Sequence, residues 1–468
     1  MAWVFPNNYE VGMANIGYQW LFGILKQHQH LLVERFFDFP GSPCSLDSER
    51  PLGEFPVIAV SIPFELDFLN FLGMLYRANI PLLSDKRLDC PIIIGGGDAL
   101  TLNPFPMADF FDIIVLGDGE AWARDFPKIL RDMPAGMADK SMLLSAAAKI
   151  PGTWIPKLDE GGQIKRAARQ TNEPAFSPIL TSYGHFRNMF LVEIQIGCPF
   201  DCGFCTSGWL GGQFYNFSVE DILDSYEKHA QDAKRVGLVG SAIAEHPHIE
   251  EILRRFAEKG VDISLSSIRI DRISPEVLDL MVEMGTKSVT FAPETAAIKL
   301  AVKTGKWIPP EEIIQQAKNL AALGLREMKL YWILGLPGES IEDIETMATA
   351  IRDIAASTNL RVTCSVNPFV PKPHSRFSRE PMLPHSELKS RFERLAAYIG
   401  KLDNLRLELN YSRRSRLSAL LSVVDSTIIP ALAEIATGGG IRSKLRRFGI
   451  ELDDEIRAPE HPPTERIA

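Results

Sequence analysis

The sequence predicts an α/β protein in which a doubly wound N-terminal domain precedes a partial TIM-type (β/α)6 barrel and a helical C-terminal segment. Short apolar strands alternate with helices in two series along the chain, and glycine-rich loops follow several of the strands. This alternation is typical of parallel sheets covered by helices on both faces. We expect the doubly wound domain at 1–131, a connector at 132–188, the barrel at 189–380 and the helical region at 381–468.

The length and net charge of the chain exclude several classes of protein. The chain has 468 residues, 46% of them hydrophobic, which is enough for two or three domains with buried cores. The net charge of −9 argues against a surface built as a whole to bind nucleic acid or anionic membrane. No run reaches the roughly eighteen apolar residues of a membrane span, and the start lacks the pattern of a signal peptide. We therefore expect a cytoplasmic enzyme without a membrane partner.

The first βα series indicates the doubly wound domain. Strands are predicted over 2–5, 31–37, 57–62, 91–94 and 113–116. Ligands of such sheets bind beyond the carboxyl ends of the strands. The glycine loops at 95–97 and 117–119 fall at those ends, so they are candidate binding loops.

The second series indicates the barrel. Strands are predicted over 191–196, 236–239, 263–266, 288–291, 327–334 and 361–368, with five helices between them. In barrels of this type the functional residues lie on the loops that follow the strands. Candidate site residues are therefore sought directly after each of these six strands.

The segment after about residue 383 is predicted to be helical, with amphipathic stretches at 388–402 and 415–435. It is rich in basic residues between 411 and 447: Arg413, Arg414, Arg416, Arg442, Lys444, Arg446 and Arg447. Such a cluster steers an RNA, a nucleotide or another anionic partner, or it is a solvated helix face. No aromatic residues are interleaved with these charges, which favours the solvated face.

Three of the six cysteines lie within eight residues. Cys198, Cys202 and Cys205 form a C-x3-C-x2-C motif at the end of an apolar strand. Soft thiolates on one short loop suit an iron–sulfur cluster. A structural zinc site needs four ligands and a redox disulfide needs two cysteines, so neither fits this motif well. The motif predicts a [4Fe–4S] cluster with one iron left without a protein ligand.

The other cysteines, Cys44, Cys90 and Cys364, are scattered along the chain. Free cysteine is among the most buried residue types, so we expect buried structural thiols at all three positions.

The cysteine loop resembles the signature of the radical SAM superfamily, including the aromatic Phe204 before the last cysteine. The resemblance extends across about 190–375. It implies that S-adenosylmethionine (SAM) chelates the open iron, and that reduction of the cluster cleaves SAM to methionine and a 5′-deoxyadenosyl radical, which abstracts hydrogen from a substrate. It also implies a reductant such as flavodoxin or ferredoxin.

The resemblance assigns further residues to SAM. Many members carry Gly-Gly-Glu after the second strand to hold the methionine amine; this chain has Gly240 and Ser241 there, so backbone carbonyls or Ser241 would have to serve. Glu294, after the fourth strand, would contact the ribose or the methionine amine. Ser266 and Arg269 follow the third strand, and Arg269 could pair with the methionine carboxylate.

The fifth strand ends in a segment similar to the superfamily's adenine-binding region. Gly335 and Leu336 would contact adenine through backbone and apolar atoms, because glycine permits a close approach. The segment 370–374, after the sixth strand, resembles a rim over adenine or substrate. The resemblance assigns no residue to the catalytic step on the substrate.

The N-terminal domain resembles that of the cobalamin-binding subclass, whose members often methylate carbon or phosphorus centres. The familiar motif there is D-x-H-x-x-G; in this chain Tyr9 stands in place of the histidine ligand and Gly12 keeps the glycine. Tyrosine substitutes poorly for imidazole on cobalt. Two alternatives remain open: cobalamin binds without a protein ligand, held by Ser61 and the loop of Gly95 and Gly96, or the domain serves substrate binding or assembly.

Two further resemblances bear on the architecture. Residues 5–17, together with segments at 291–294 and 369–374, are similar to a bacterial and archaeal family of radical SAM proteins with a cobalamin-domain-like N-terminus and no settled substrate. Methylthiotransferases share the domain order but need three more cysteines for a second cluster, and the N-terminal domain has only Cys44 and Cys90. We therefore expect one cluster.

These observations predict a radical SAM enzyme that modifies an unknown substrate. The leading hypothesis is methyl transfer with SAM and cobalamin. The enzyme alternative is a cobalamin-free modification of a tRNA, a protein or a small metabolite. A non-enzyme alternative is an iron–sulfur electron carrier or assembly factor, against which the open iron and the adenine-type loop argue.

Overall fold

The computed structural model describes residues 1–88, 91–133, 140–265, 269 and 272–468. The chain forms two compact units. The first comprises Met1–Arg187, Leu420–Leu452 and Ala458–Ala468, and the second comprises Asn188–Ala419 and Asp453–Arg457. The four-part division drawn from the sequence stays a prediction. No helix among the described residues combines the length and the hydropathy needed to cross a membrane.

The first unit is built on one sheet. Within the described residues its strands are β1 (Ala2–Phe5), β2 (Glu34–Phe37), β3 (Val57–Ser61), β4 (Ile92–Gly96), β5 (Ile113–Val115) and β6 (Thr153–Trp154). Their order is β2-β1-β3-β4-β5-β6, with β1 to β5 parallel and β6 antiparallel to β5. The chain reverses its direction of travel across the sheet between β1 and β3, which is where ligands of doubly wound sheets bind. The predicted doubly wound fold is confirmed.

Helices cover this sheet. They are α1 (Tyr9–Gly12), α2 (Ile16–Lys26), α3 (Asp67–Arg77), α4 (Asp98–Leu102), α5 (Glu120–Asp132) and α6 (Lys140–Ala147). Aromatic side chains fill much of the space between sheet and helices: the Trp3 ring stacks on Tyr18 with 5.4 Å between centroids and on Trp122 with 6.3 Å. Stacked rings add to the free energy of burial, so this core anchors α2 and α5 on β1.

The second unit contains the barrel strands. They are β7 (Phe190–Glu193), β8 (Gln195–Ile196), β9 (Tyr215–Asn216), β10 (Arg235–Val239), β11 (Asp262–Leu265), β12 (Ser288–Glu294), β13 (Glu327–Leu334), β14 (Arg361–Pro368) and β15 (Leu405–Leu409). Two parallel sheets run in the orders β11-β10-β7 and β12-β13-β14-β15, and β8 pairs with β9 as a short antiparallel ribbon. The six predicted strands are present, and the predicted barrel-type fold is confirmed.

Helices separate these strands, as a parallel sheet requires. They are α7 (Ser207–Gly211), α8 (Val219–Ala230), α9 (Ile249–Glu258), α10 (Pro275–Glu283), α11 (Ile298–Thr304), α12 (Pro310–Ala322), α13 (Ile341–Ala356) and α14 (His385–Ile399). Capping boxes start two of them: Ser218 with Asp221 begins α8, and Ser340 with Asp343 begins α13.

Strand β15 is absent from the sequence prediction, which placed only helices after residue 381. It pairs in parallel with β14 over Val362–Val366. Its residues Leu405, Leu407 and Leu409 alternate with Arg406 and Glu408, a period of two that is typical of a strand. The helical pattern on either side of it masked this short signal.

Three helices complete the chain: α15 (Arg413–Val423), α16 (Ile429–Ala436) and α17 (Ile441–Arg447). Polar contacts tie the end of α15 to the first unit. The Asn103 side chain donates hydrogen bonds to the carbonyls of Ser422 and Val424 at 3.1 and 2.8 Å, and the Ser422 hydroxyl donates to the buried Glu65 carboxylate at 2.8 Å. These contacts place residues after Ala419 in the first unit.

The buried carboxylate of Asp112 yields a test of the first unit's stability. It accepts hydrogen bonds from Arg87 at 3.1 Å and from the Ile93 amide at 2.8 Å, and the Lys140 ammonium lies 2.7 Å away. Asp112→Ala leaves the fully buried Arg87 guanidinium without its counter-charge, so we expect a loss of about 3–5 kcal/mol of unfolding free energy. Urea unfolding followed by circular dichroism measures it.

The matched control is Asp85→Ala, which removes an exposed pair with Lys86. Exposed pairs contribute about 0–1 kcal/mol, so the control should unfold close to wild type. Equal midpoints for the two variants would contradict the structural role of Asp112.

Candidate functional site

The cysteine motif forms a tight loop after β8. Gly197 turns the chain with φ +70°, a conformation that favours glycine. A Cβ on Gly211 would lie 2.2 Å from the Cα of Gly197, so the two ends of the loop touch through their backbones. Cys198 and Cys202 are half-buried and Cys205 is exposed. The motif therefore lies at the carboxyl end of its strand, as predicted.

Two later segments hold this loop in place. The Gly203 amide donates to the Thr304 carbonyl at 2.8 Å, and the Gly203 carbonyl accepts from the Phe377 amide at 2.8 Å. A Cβ at Gly203 would lie 2.6 Å from the Phe377 ring, so only glycine fits between the cysteines there. The Arg376 guanidinium donates to the carbonyls of Asp201 and Thr304 at 2.8 and 3.0 Å. Sequence reasoning missed Arg376 and Thr304, because nothing local marks them.

The electrostatic surroundings of the thiols are mixed. Burial raises the pKa of the Cys198 and Cys202 thiols, while the Lys306 ammonium and the Arg269 guanidinium lower it. The described residues include no group of three or more His, Cys, Asp or Glu side chains placed to hold a single metal ion. Each thiolate of a [4Fe–4S] cubane binds a different one of its four irons, so the ligands need not converge on one point. The donor set of three soft thiolates fits an iron–sulfur cluster.

The aromatic residue of the motif contacts the predicted adenine loop. Phe204 packs against a small buried cluster that contains Leu336, Phe369 and Phe377, together with the half-buried Ile333. Phe204 and Leu336 are far apart in sequence, so the fold brings two predicted site residues together. This apolar surface directly adjoins the cysteines.

The turn after β13 is held by a buried carboxylate. Glu339 accepts hydrogen bonds from the Gly335 amide at 2.8 Å and from Arg391 at 3.0 Å. Burial raises the pKa of Glu339 to about 7, although both hydrogen bonds act to lower it. Gly335 has φ +83°, and a Cβ there would lie 2.9 Å from Leu388. Packing is therefore one reason for this glycine, and Glu339 fixes the shape of the predicted adenine loop.

Glu294 ends β12 next to the cysteine loop. It has φ +69°, a strained conformation for glutamate. Its carboxylate accepts a hydrogen bond from the Lys306 ammonium at 2.9 Å, and both side chains are about nine-tenths buried. Burial raises the pKa of Glu294, and Lys306 opposes that rise. Lys306 was not among the predicted site residues. Its position just after the end of α11 was the one feature of the sequence that could have pointed to it.

The remaining predicted SAM residues have diverse surroundings. A Cβ at Gly240 would lie 2.8 Å from the Gln195 amide oxygen, so Gln195 fills the space that a side chain would need. Ser241 is exposed. The Arg269 guanidinium lies 4.4 Å from the centre of the Phe200 ring, which places it over the cysteine loop. Ser266 lies outside the described residues.

The predicted rim segment 370–374 also reaches the cysteine loop. The His374 ring stacks on Trp209 of α7 with 3.6 Å between centroids and 6° between planes. His374 has φ +63°, an uncommon conformation for a non-glycine residue that concentrates at functional sites. The rim thus contacts the helix that follows Cys205.

In the first unit, the loop after β1 is closed by aromatic packing. The Tyr9 hydroxyl donates to Thr181 at 3.1 Å, and its ring lies 5.1 Å from that of Phe37. A Cβ at Gly12 would lie 2.4 Å from the Phe37 ring. Phe37 therefore occupies the space beside Gly12, and Tyr9 is oriented by Thr181.

The residues at the ends of β3 and β4 differ in the free space beside them. Ser61 and Gly96 pair in register, and both are half-buried. A Cβ at Gly95 would lie 2.7 Å from both Leu100 and Phe111, so packing within the unit requires that glycine. At Gly96 the nearest atom would be 3.5 Å away, at Val115. Gly96 and Ser61 are thus better placed than Gly95 to contact a ligand.

The singleton cysteines do not share one environment. Cys364 is fully buried in β14, as predicted, and burial raises its pKa to about 12. The prediction for Cys44 is wrong: this thiol is exposed, because the neighbouring Pro43 and Ser45 take the buried positions of the loop. Cys90 lies outside the described residues.

The basic segment between 411 and 447 falls in both units. Arg416 is fully buried and donates to the carbonyls of Leu383 and Asp454. Lys444 is buried and donates to the carbonyls of Glu434 and Gly438. The expectation that these two residues lie on a solvated or partner-facing surface is wrong, because their charges neutralise loop carbonyls.

Comparison with known families agrees with this geometry. The model described as "Radical SAM proteins, N-terminal" matches residues 17–156, and the model of the radical SAM superfamily matches residues 192–351. The chain belongs to the radical SAM superfamily. The predicted resemblance is confirmed, and this radical SAM protein is an enzyme, which removes support from the electron-carrier alternative.

Three relatives illustrate the breadth of the likeness. Uncharacterized protein MJ0966 of Methanocaldococcus jannaschii is 25% identical over 388 residues, which cover 81% of this chain and 79% of that protein. A probable dual-specificity RNA methyltransferase RlmN of Prochlorococcus marinus is 26% identical over 183 residues, 36% of this chain and 51% of its own. The chain thus spans about half of that methyltransferase.

The third is a solved structure. The radical SAM methyltransferase TsrM of Kitasatospora setae, with cobalamin and a [4Fe–4S] cluster bound, has a TM-score of 0.60 at 12% identity. The match covers 96% of this chain and 98% of TsrM, so this radical SAM protein shares its fold along nearly the whole length.

The contacts of Arg376 yield a prediction for this radical SAM enzyme. Arg376→Met removes the donor that joins the cysteine loop to the end of α11, so we expect iron retained after anaerobic reconstitution and desalting to fall about 10–100-fold. Arg326→Met, an exposed change at the opposite end of β13, is the control and should retain iron as wild type does. Equal iron contents in both variants would rule out this role for Arg376.

Proposed function

We propose that this enzyme is a cobalamin-assisted radical SAM methyltransferase. The observation that carries the proposal is the packing of the cysteine loop against the end of α11 and against the apolar cluster of Phe204 and Leu336. In that arrangement Cys198, Cys202 and Cys205 would hold the cluster. Likeness to TsrM along both units supports methyl transfer as the reaction class.

Different residues around the cysteine loop would bind the cluster and the separate parts of SAM. Three thiolates leave one iron free, which gives the amino and carboxylate groups of SAM a place to chelate. The apolar surface of Phe204 and Leu336 would take the adenine, in a loop whose shape Glu339 maintains. When bound, the cluster and SAM supply a one-electron reductive cleavage of a sulfonium bond. A low-potential donor such as flavodoxin or ferredoxin would provide the electron.

Cobalamin would lie at the strand ends of the first unit and serve as the methyl carrier. Ser61 ends β3, which borders the crossover point between β1 and β3, and Gly96 of the adjacent β4 pairs with it and leaves room for a ligand. Tyr9 would not bind cobalt, since its hydroxyl is engaged by Thr181. We therefore propose that this chain binds cobalamin without a ligand from the position where the familiar motif has histidine.

A second candidate is a cobalamin-free radical modification of a tRNA, a protein or a small metabolite. The packing of Phe37 against Gly12, and of Phe111 against Gly95, favours it, because the unit's own side chains fill the space beside these two glycines. The likeness of the barrel to RNA methyltransferases makes RNA one substrate class for this candidate.

The cysteine assignment is tested by two alanine variants. Cys205→Ala removes a proposed iron ligand at an exposed position, so anaerobic incubation with dithionite and SAM should yield 5′-deoxyadenosine only at background level. Cys364→Ala, at a buried thiol away from the loop, should form the product as wild type does when folded, which circular dichroism verifies. Product from Cys205→Ala at the wild-type rate would refute the assignment.

Hydroxocobalamin binding separates the two candidates. The wild-type protein, incubated with hydroxocobalamin and desalted, should keep the corrin absorption at about one equivalent, and Gly96→Val should lose it because a branched side chain enters the ligand space. Ser177→Ala, elsewhere in the same unit, is the control. A wild-type spectrum without corrin bands would favour the cobalamin-free candidate.

A further inference from the structure

The buried pair of Lys306 and Glu294 lies beside the cysteine loop. The Lys306 ammonium and the Glu294 carboxylate are 2.9 Å apart, with 11% and 10% of their side chains exposed. Burial of such a pair contributes little net stability, because the cost of desolvation offsets the attraction. Glu294 also has a strained φ of +69°. Stability alone therefore gives a weak reason for this pair.

The chain directly before Lys306 touches the loop. The Thr304 carbonyl accepts the hydrogen bond of Gly203, and a Cβ at Gly305 would lie 3.3 Å from the Asp201 carbonyl. Lys306 is the next residue, and its buried ammonium pairs with Glu294 at 2.9 Å. Lys306 therefore directly follows two residues that pack against the loop proposed to hold the cluster.

Charge near a cluster changes the ease of its reduction. Reduction of a [4Fe–4S] cluster adds one negative charge, so a fixed cation favours the reduced form and a fixed anion disfavours it. The effect is strong where water is excluded and weak where charges are exposed. Lys306 and Glu294 are both shielded from water, and their charges affect the reduction potential in opposite directions.

We propose that Lys306, oriented by Glu294, raises the reduction potential of the cluster held by Cys198, Cys202 and Cys205. The inference rests on the proposed function only in the position of the cluster. The electron comes from an external low-potential donor; dithionite takes that place in the test. Glu294 has two effects: it fixes the ammonium in position and it limits the size of the shift.

The test is an anaerobic redox titration of the reconstituted protein at pH 8, without SAM, with the reduced cluster followed by electron paramagnetic resonance. Lys306→Met should lower the ratio of reduced to oxidised cluster at a given potential about tenfold, which is ~59 mV for one electron. Glu294→Gln should shift the potential in the opposite direction. Lys306→Arg keeps the charge and should titrate close to wild type.

Lys299→Met is the matched control. It removes the same charge from an exposed residue of α11 that is paired with Asp343, and it should leave the potential unchanged. If Lys306→Met assembles no cluster, Glu294→Gln decides alone: a raised potential supports the proposal and an unchanged one overturns it.

The possible failures are distinct. A wild-type protein that binds no cluster would overturn the proposed function and this inference with it. A cluster that assembles in wild type and in Lys306→Met with identical potentials would overturn the inference alone. Equal shifts in Lys306→Met and Lys299→Met would do the same, since they would show only a general effect of net charge.

Discussion

The two hydrogen bonds of Gly203 are the constraint on which the rest of the site depends. Residues 198–205 form no helix or strand of their own that would satisfy their backbone groups. The amide and carbonyl of Gly203 are therefore satisfied by Thr304 and Phe377, from the segments after β12 and β14. Because each of those segments also carries a site residue, one backbone contact aligns the thiols, the Lys306–Glu294 pair and the apolar cluster around Leu336. The cysteine positions follow from the barrel rather than from the motif.

In the first unit, the packing of aromatic side chains limits the space that a ligand could occupy. The parallel sheet of this unit places Gly12, Gly95 and Gly96 at or just beyond the carboxyl ends of its strands, and aromatic rings fill the space beside two of these glycines. Phe37 fills the space beside Gly12 and Phe111 the space beside Gly95, whereas Gly96 keeps room next to Ser61. A glycine at the end of a strand can therefore have two roles. Gly95 leaves space for core side chains, and Gly96 leaves space for a ligand.

Features that depend on neighbouring residues could be predicted from the sequence, and features that depend on distant partners could not. The strands of both units and the position of the cysteine loop at a strand end follow from local patterns, whose periodicity and spacing are visible within a few residues. Strand β15, Arg376 and Lys306 were missed because their roles depend on partners far away in sequence. The expected burial of Cys44 was wrong for another reason, since a residue preference cannot foresee which positions of a loop face inward.

The cations of this chain show why Lys306 differs from its neighbours. Several buried or half-buried basic side chains satisfy backbone carbonyls: Arg87 donates to Pro81, Leu82 and Phe110, and Arg376, Arg416 and Lys444 donate to loop ends. The charge of such a cation neutralises dipoles that would otherwise be buried unpaired, and Arg87 and Arg376 also pair with the carboxylates of Asp112 and Asp201. The Lys306 ammonium pairs with the carboxylate of Glu294, a residue with φ +69°, and Thr304, two residues before Lys306, contacts the cysteine loop. The segment that holds the cysteine loop therefore also carries a buried charge.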